Sequence, residues 1–204
     1  GTVGAVANRS AITGEDGSSE DLDAVLTTEG CTKAAEFVDF CDAFNIPVLT
    51  LVNVKGFKAD KASEKSISRA AAKLTYAFAN ASVPKVTVIV GEAFGSAGLT
   101  MNSKSIGADI VYAWPTASIG MMDAASAVKI MYADEIAKAD SAVDLIAEKT
   151  AAYAELQSSA VAAAKRGYVD DIIEPAGTRK RVIAAFEMLY TKREDRPVKK
   201  HGTV

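Results

Sequence analysis

The chain is short of the side chains that most enzymes use. Among 204 residues there is one histidine, two cysteines and aromatic rings at 7% of positions. The histidine, His201, lies in the charged terminal run "KREDRPVKKHGTV", where a surface role fits better than a buried catalytic base. Cys31 and Cys41 are separated by ten positions around a helical stretch, a spacing that suits neither a zinc site nor a disulfide framework. Both are expected to be reduced, with Cys41 on the buried face. No apolar run approaches the roughly 18–20 residues that cross a bilayer, and the start has none of the charged and apolar regions of a signal peptide. A cytoplasmic protein is expected, meeting a membrane only through a partner. The formal net charge of -3, with short cationic runs at 179–181 and 198–200, provides no basic field for nucleic acid.

Strand and helix signals alternate along the chain. Val3 to Ala7 is apolar. Ala34, Phe37, Val38, Cys41 and Phe44 then repeat at the spacing of one helix face. "IPVLTLVNV" (46–54) and "KVTVIV" (85–90) read as strands buried on both faces. Between them lie a polar surface loop, "KGFKADKASEKS", and a helix with Ile67, Ala71, Leu74, Phe78 and Ala81 on one stripe, closed before Pro84. Ile110 to Tyr112 and Ser118 to Met121 are short apolar pieces. Asp140 and Ser141 are placed to cap one long Ala-rich helix reaching Arg166, with Gly167 as its stop. "YVDDII" is a brief strand, and Pro175 opens a last helix through Val182, Ala185, Phe186 and Leu189. One α/β domain over 1–194 with a charged tail over 195–204 is the expected organisation. "GTVGAVANR" begins without Met inside a strand-like segment, which reads as a domain cut from a longer polypeptide or as an artificial boundary.

The stretch with chemical content is "VTVIVGEAFGSAGLT", a strand running through small residues into a helix. The first N–H groups of a helix have no internal acceptor and sit at the positive end of its dipole. With Gly95, Ser96, Ala97 and Gly98 beside them, a ligand oxygen can approach, and such fixed donors suit a carbonyl that becomes negatively charged. Close helix–strand packing explains the same residues equally well. The glycines at 91, 95 and 98 do not make the G-x-G-x-x-G dinucleotide fingerprint, and no Walker loop is present. A second connection, Lys55-Gly56-Phe57, follows the other buried strand. In a parallel sheet both would reach one edge and offer converging donors.

Four segments in order, "EFVDFCDAFNIPVLTLVNVKGF", "AFGSAGLTMNSKSIGADIVYAWPTA", "AKRGYVDDIIEP" and "RPVKKHG", resemble the C-terminal half of the carboxyltransferase subunit of biotin-dependent acyl-CoA carboxylases and decarboxylases. The resemblance implies a crotonase-like α/β fold, a twisted and mainly parallel sheet flanked by helices. It implies a preceding N-terminal carboxyltransferase domain that holds the acyl-CoA thioester, an active site at a subunit interface and a homo-oligomer. It also implies that biotin arrives on a separate carrier and is not attached to this chain. The family's Gly-Gly-Ala motif falls on Gly95, Ser96 and Ala97, so the backbone N–H groups of Ser96 and Ala97 are the implied oxyanion hole for the biotin carbonyl. Gly56, Phe57 and Gly98 complete the implied cofactor surface, with no metal. This half alone is expected to be inactive on acyl-CoA. Three departures stand out. "VKGF" replaces the usual Val-Pro-Gly-Phe, "KADKASEKS" replaces a glycine-rich loop, and Ser96 and Gly98 replace a glycine and an often aromatic residue. Two other readings remain: a crotonase-type hydratase, for which Glu92 lacks an obvious partner glutamate, and a non-catalytic assembly domain.

Overall fold

A computed structural model describes residues 1–196; His201 and the remainder of the tail lie outside the described residues. The main sheet is built from β1 (Gly4–Ala7), β5 (Val48–Val54), β7 (Lys85–Phe94), β8 (Ile110–Ala113) and β10 (Asp171–Ile172) in that spatial order, with β9 (Ser118–Gly120) also on β7. Every pairing in it is parallel. Parallel neighbours need long crossovers, and α1 (Thr28–Ala43) and α2 (Ile67–Asn80) supply the first two. Between β1 and α1 the polar loop forms a hairpin, β2 (Ala11–Thr13) with β3 (Ser19–Asp21), closed where the Asp16 carboxylate accepts from the backbone N–H and hydroxyl of Ser18. A second small ladder joins β4 (Val25–Leu26) to β6 (Gly56–Phe57). The chain then runs through α3 (Gly95–Thr100), α4 (Ala124–Met131), α5 (Ala133–Ile136), α6 (Ala142–Tyr153), α7 (Ala160–Lys165) and α8 (Thr178–Met188).

Each strand has two faces, and helices cover them unequally. The larger core lies under α1, α2, α3 and α7, where Val48, Val52, Leu74, Phe78, Ile89 and Val111 meet. The smaller core, with Val86, Val88, Tyr112 and Val182, is covered by α8. Beneath that helix Trp114 Nε1 donates to Thr178 Oγ1 at 2.9 Å. Leu49 and Leu51 pack against this smaller core but are only half-buried, so β5 is not a strand fully buried on both faces.

Two helical expectations change. The inward face of α1 is Cys31, Ala35, Val38 and Cys41, while Phe37 and Phe44 are 37% and 65% exposed. The helix overhangs the edge strand, and the Phe37 ring lies over Gly4 at its margin. Residues 140–166 form two helices. Ser141 caps α6, a π-helical turn over 154–158 follows, and Ser159 restarts the chain as the N-cap of α7, accepting from Ala162 N–H at 3.2 Å. A backbone bridge from Ser159 to Ser118 on β9 holds the break in place. Gly167, at φ +80°, ends α7.

A buried charge joins α2 to β7. Lys85 is fully buried, and its ammonium donates to Phe78 O at 2.7 Å at the C-terminal turn of α2. Burial first, then the positive charges of Lys192 and Arg196, pull its pKa down to about 8. Between about pH 8 and the ordinary lysine value of 10.5 the folded chain therefore binds fewer protons here than the unfolded chain. Stability is expected to rise across that window by roughly 3 kcal/mol. Denaturant titrations of the wild type and Lys85→Met at both ends of the window check this, since the variant should lack the rise.

Candidate active site

The site grows out of a change of partner along β7. Val86 to Ile89 pair with β8, whereas Glu92 to Phe94 pair with β9. On its other side, pairing with β5 shifts register between Val52 and Val54, which face Ile89 and Ala93. The strand bends at this bulge and runs into α3. Gly95 opens that helix at φ +56°, and a Cβ there would lie 3.0 Å from Met121 O. At Gly98 a Cβ would meet the Ala93 carbonyl carbon at 2.9 Å, so the helix is pressed against its own strand. The packing explanation of the small residues thus applies to Gly98. Ala97 is buried and Ser96 exposed. No side chain caps the first turn of α3, which leaves its leading N–H groups without intrahelical acceptors.

The second connection reaches the same place. β6 carries Gly56 and Phe57 and is fixed to β4 by Lys55 N–H to Ala24 O at 2.7 Å and Lys58 N–H to Leu26 O at 2.9 Å. Phe57 packs on the main core, and a Cβ at Gly56 would meet open space. β6 lies against α3, so the two connections converge as parallel strand ends should. The far end of α3 is held from below. Asn102, buried at φ +55°, donates through Nδ2 to Thr50 Oγ1 at 3.3 Å and accepts on its carbonyl from Thr87 Oγ1 at 2.7 Å.

Beside α3 lies a cavity of about 640 Å³, bounded by Gly95, Gly98, Leu99, Ile119, Met121 and the sheet residues Ile89 and Val111. None of its lining residues is a carboxylate. Its charged members are Lys104, paired with Asp170 at 2.8 Å, and Arg166, which donates to Gln157 O at 2.9 Å. A glutamate pair for hydratase chemistry is therefore missing from this cavity. A larger hollow of about 830 Å³ between β1, β4 and α1 is lined by none of the residues 55–57 or 95–98. Among the described residues no group of three or more His, Cys, Asp or Glu is placed to hold a metal, and no helix is long and apolar enough to cross a membrane. Cys31 and Cys41 are free and buried, and burial pushes the Cys31 thiol up to about 11.

Sequence reasoning marked Ser118 to Met121 as an apolar piece without placing it at the site, and missed the buried Asn102. It also missed Asn8 and Asn53, whose amides bridge the strand ends. The two asparagines follow apolar strand segments directly, at positions where a polar side chain on a sheet needs a partner; that was the available signal.

A mainly parallel sheet whose central strand runs through an uncapped glycine-initiated turn, flanked by helices, defines a crotonase-like α/β domain. Within that class, the family model of the carboxyl transferase domain matches residues 1–204, and the chain belongs to this family. It is 43% identical over 202 residues to the methylmalonyl-CoA carboxyltransferase 12S subunit of Propionibacterium freudenreichii subsp. shermanii, covering 98% of this chain and 37% of that one. A putative propionyl-CoA carboxylase beta chain of Bacillus subtilis is 47% identical over 180 residues, covering 88% of this chain and 36% of the relative. The crystal structure of transcarboxylase 12S, a hexamer with methylmalonyl-coenzyme A and methylmalonic acid bound, superposes with a TM-score of 0.84 at 45% identity, over 87% of this chain and 34% of that one. The chain thus spans about a third of the length of the relatives it matches.

The turn at Gly95 is open to a direct check. Valine there would sit in a left-handed conformation that costs a β-branched residue roughly 1–2 kcal/mol, besides crowding Met121 O. Gly95→Val is expected to melt about 2–8 °C below wild type. Unchanged melting would mean that the backbone at this turn relaxes freely.

Proposed function

We propose that this chain is the carboxybiotin-side half of a biotin-dependent acyl-CoA carboxyltransferase, residues 1–194 forming that domain. The observation that carries the reading is the uncapped start of α3, which lies against β6 on one side and beside a carboxylate-free cavity, lined by Gly95 and Gly98, on the other. The residues present fit a ureido group. The cradle is free of side chains at Gly95 and Gly56, where a Cβ would meet Met121 O in one case and only open space in the other. When bound, biotin supplies the nitrogen that carries the transferred carboxyl group. The chain contributes the Ser96 and Ala97 N–H groups, aimed at an oxygen whose negative charge grows during transfer and fixed before the reaction by the packing of Gly98 on Ala93. Gly56 and Phe57 form the facing wall. Leu99, Ile119 and Met121 give the cavity an apolar wall.

The remaining components lie outside this chain. Acyl-CoA is held by an N-terminal carboxyltransferase domain, biotin is delivered by a carrier protein or domain, and the enzyme is a homo-oligomer. Support for assembly comes from the exposure of the large apolar side chains Met121, Ile130, Met131, Val143 and Leu156. Along 140–166 the exposed apolar residues do not form one stripe, since Ala160 is buried while Val143 and Val161 are exposed. The relevant face instead includes α4. Sedimentation at tens of micromolar is expected to show a dimer or larger species, and Met131→Asp combined with Val143→Asp should return a monomer; a monomeric wild type would remove this part of the proposal.

If the donors are backbone, side-chain loss at the turn should be mild and loss of an N–H severe. With the acyl-CoA-binding half present, carboxyl exchange between acyl-CoA and biotin should survive Ser96→Gly. Ala97→Pro, which deletes one donor, should lower exchange about 100- to 1000-fold. Near-wild-type exchange in a folded Ala97→Pro enzyme, together with loss in Ser96→Ala, would make the serine hydroxyl the working group and overturn the backbone site.

A further inference from the structure

The two connections that form the site leave the sheet just after its hydrogen-bonding ladder fails. β1 pairs with β5 as far as Ala7 and Leu51. β5 pairs with β7 as far as Val52 and Ile89, and contact resumes only at Val54 and Ala93, so Asn53 alone faces Val90, Gly91 and Glu92. Backbone groups in such a gap have lost their ladder partners and need others. Side-chain amides supply them. Asn8, the first residue past β1, accepts from Asn53 N–H on Oδ1 at 2.9 Å and donates through Nδ2 to Asn53 O, copying a strand's two bonds. The Asn53 side chain in turn accepts from Glu92 N–H on Oδ1 at 3.0 Å. Gly91 makes room for it, since a Cβ there would overlap the Asn53 amide.

We propose that Asn53, braced by Asn8, is a positioning residue of this site: the relay Asn8–Asn53–Glu92 sets the bend of β7 and thereby the direction of the Ser96 and Ala97 N–H groups relative to Gly56 and Phe57. Distances along the chain make the coupling direct. Asn53 precedes Gly56 by three residues and Glu92 precedes Gly95 by three, so one side chain spans the roots of both connections. Glu92 is also where β7 begins to pair with β9, and β9 ends at Gly120, next to the Met121 carbonyl that crowds Gly95. Without the Asn53 oxygen, Glu92 N–H has no acceptor on the β5 side, and the two strand ends are free to close or splay. The inference rests on the proposed oxyanion role of residues 96 and 97 for its consequence, although not for its geometry.

The test uses the 204-residue chain labelled with nitrogen-15, read first without ligand and then with free biotin. Asn53→Ala is expected to stay folded, to shift the amide signals of Ser96, Ala97 and Phe57, and to weaken biotin binding by about tenfold or more, because small misplacements of such donors are costly. Asn53→Asp, which keeps an oxygen for Glu92 N–H, should restore both readouts towards wild type; a merely space-filling role would not distinguish it from alanine. If Asn53→Ala does not fold, Asn8→Ala carries the reading, since it removes the brace and leaves Asn53 itself, and the same signals should move in the same sense. Unmoved Ser96 and Ala97 signals in a folded variant, or equal effects of aspartate and alanine at 53, would overturn the proposal. Failure of the wild type to bind biotin at all would instead count against the proposed function, while the ligand-free signals would still decide this inference.

Discussion

Everything near the site depends on β7 having to satisfy different neighbours along its length. It lies beside β5 on one edge, and on the other beside β8 and then β9. A straight strand keeps one partner per edge, so the change forces a bend, and the bend is where the ladder to β5 loses register. Beyond the bend the chain has little freedom. The strand must turn into α3 through a left-handed residue, the helix must lie close enough for Gly98 to touch Ala93, and Asn102 must take a positive φ to tie its far end to Thr50 and Thr87. A short helix fixed at both ends by different means can hold its N–H groups still.

The proposed backbone site would account for a chain with so few reactive side chains. Electrostatic stabilisation by preset dipoles needs placement more than it needs ionisable groups. The interior reflects that demand. Its polar residues, Thr50, Thr87, Thr100 and Asn102, are buried, and their hydrogen bonds tie α2, α3 and the sheet together. The cost is visible in Asn102, whose Oδ1 finds no partner.

Much of the fold was legible because parallel strands flanked by helices leave strong marks. The apolar runs at 48–54 and 85–90, the stripe of Leu74 and Phe78, and the stop at Gly167 all report local physics that the tertiary structure keeps. Where packing overrode propensity, reading failed. Alanine-rich sequence between 140 and 166 favours one helix, yet the Ser118–Ser159 bridge breaks it. α1 has two adjacent apolar stripes, and only the position of the sheet edge decides that Val38 rather than Phe44 is inside. At the site, spacing marked only a turn of small residues, the resemblance alone pointed to Ser96 and Ala97, and neither separated them from Gly98, whose missing side chain faces its own strand. The asparagines were invisible for another reason: a hydrogen bond between residues 45 positions apart leaves no periodic trace.

The relay of amides has a consequence for how the site responds to acidity. Neither Asn8 nor Asn53 can gain or lose a proton in water, and the groups they join are peptide N–H and C=O. The frame at the roots of β6 and α3 is therefore silent to pH, unlike frames built from paired carboxylates and imidazoles, which loosen as their members titrate. In the proposed reaction, any pH dependence of transfer would therefore have a source other than this frame. A scaffold of this kind keeps one geometry while the acidity of its surroundings changes.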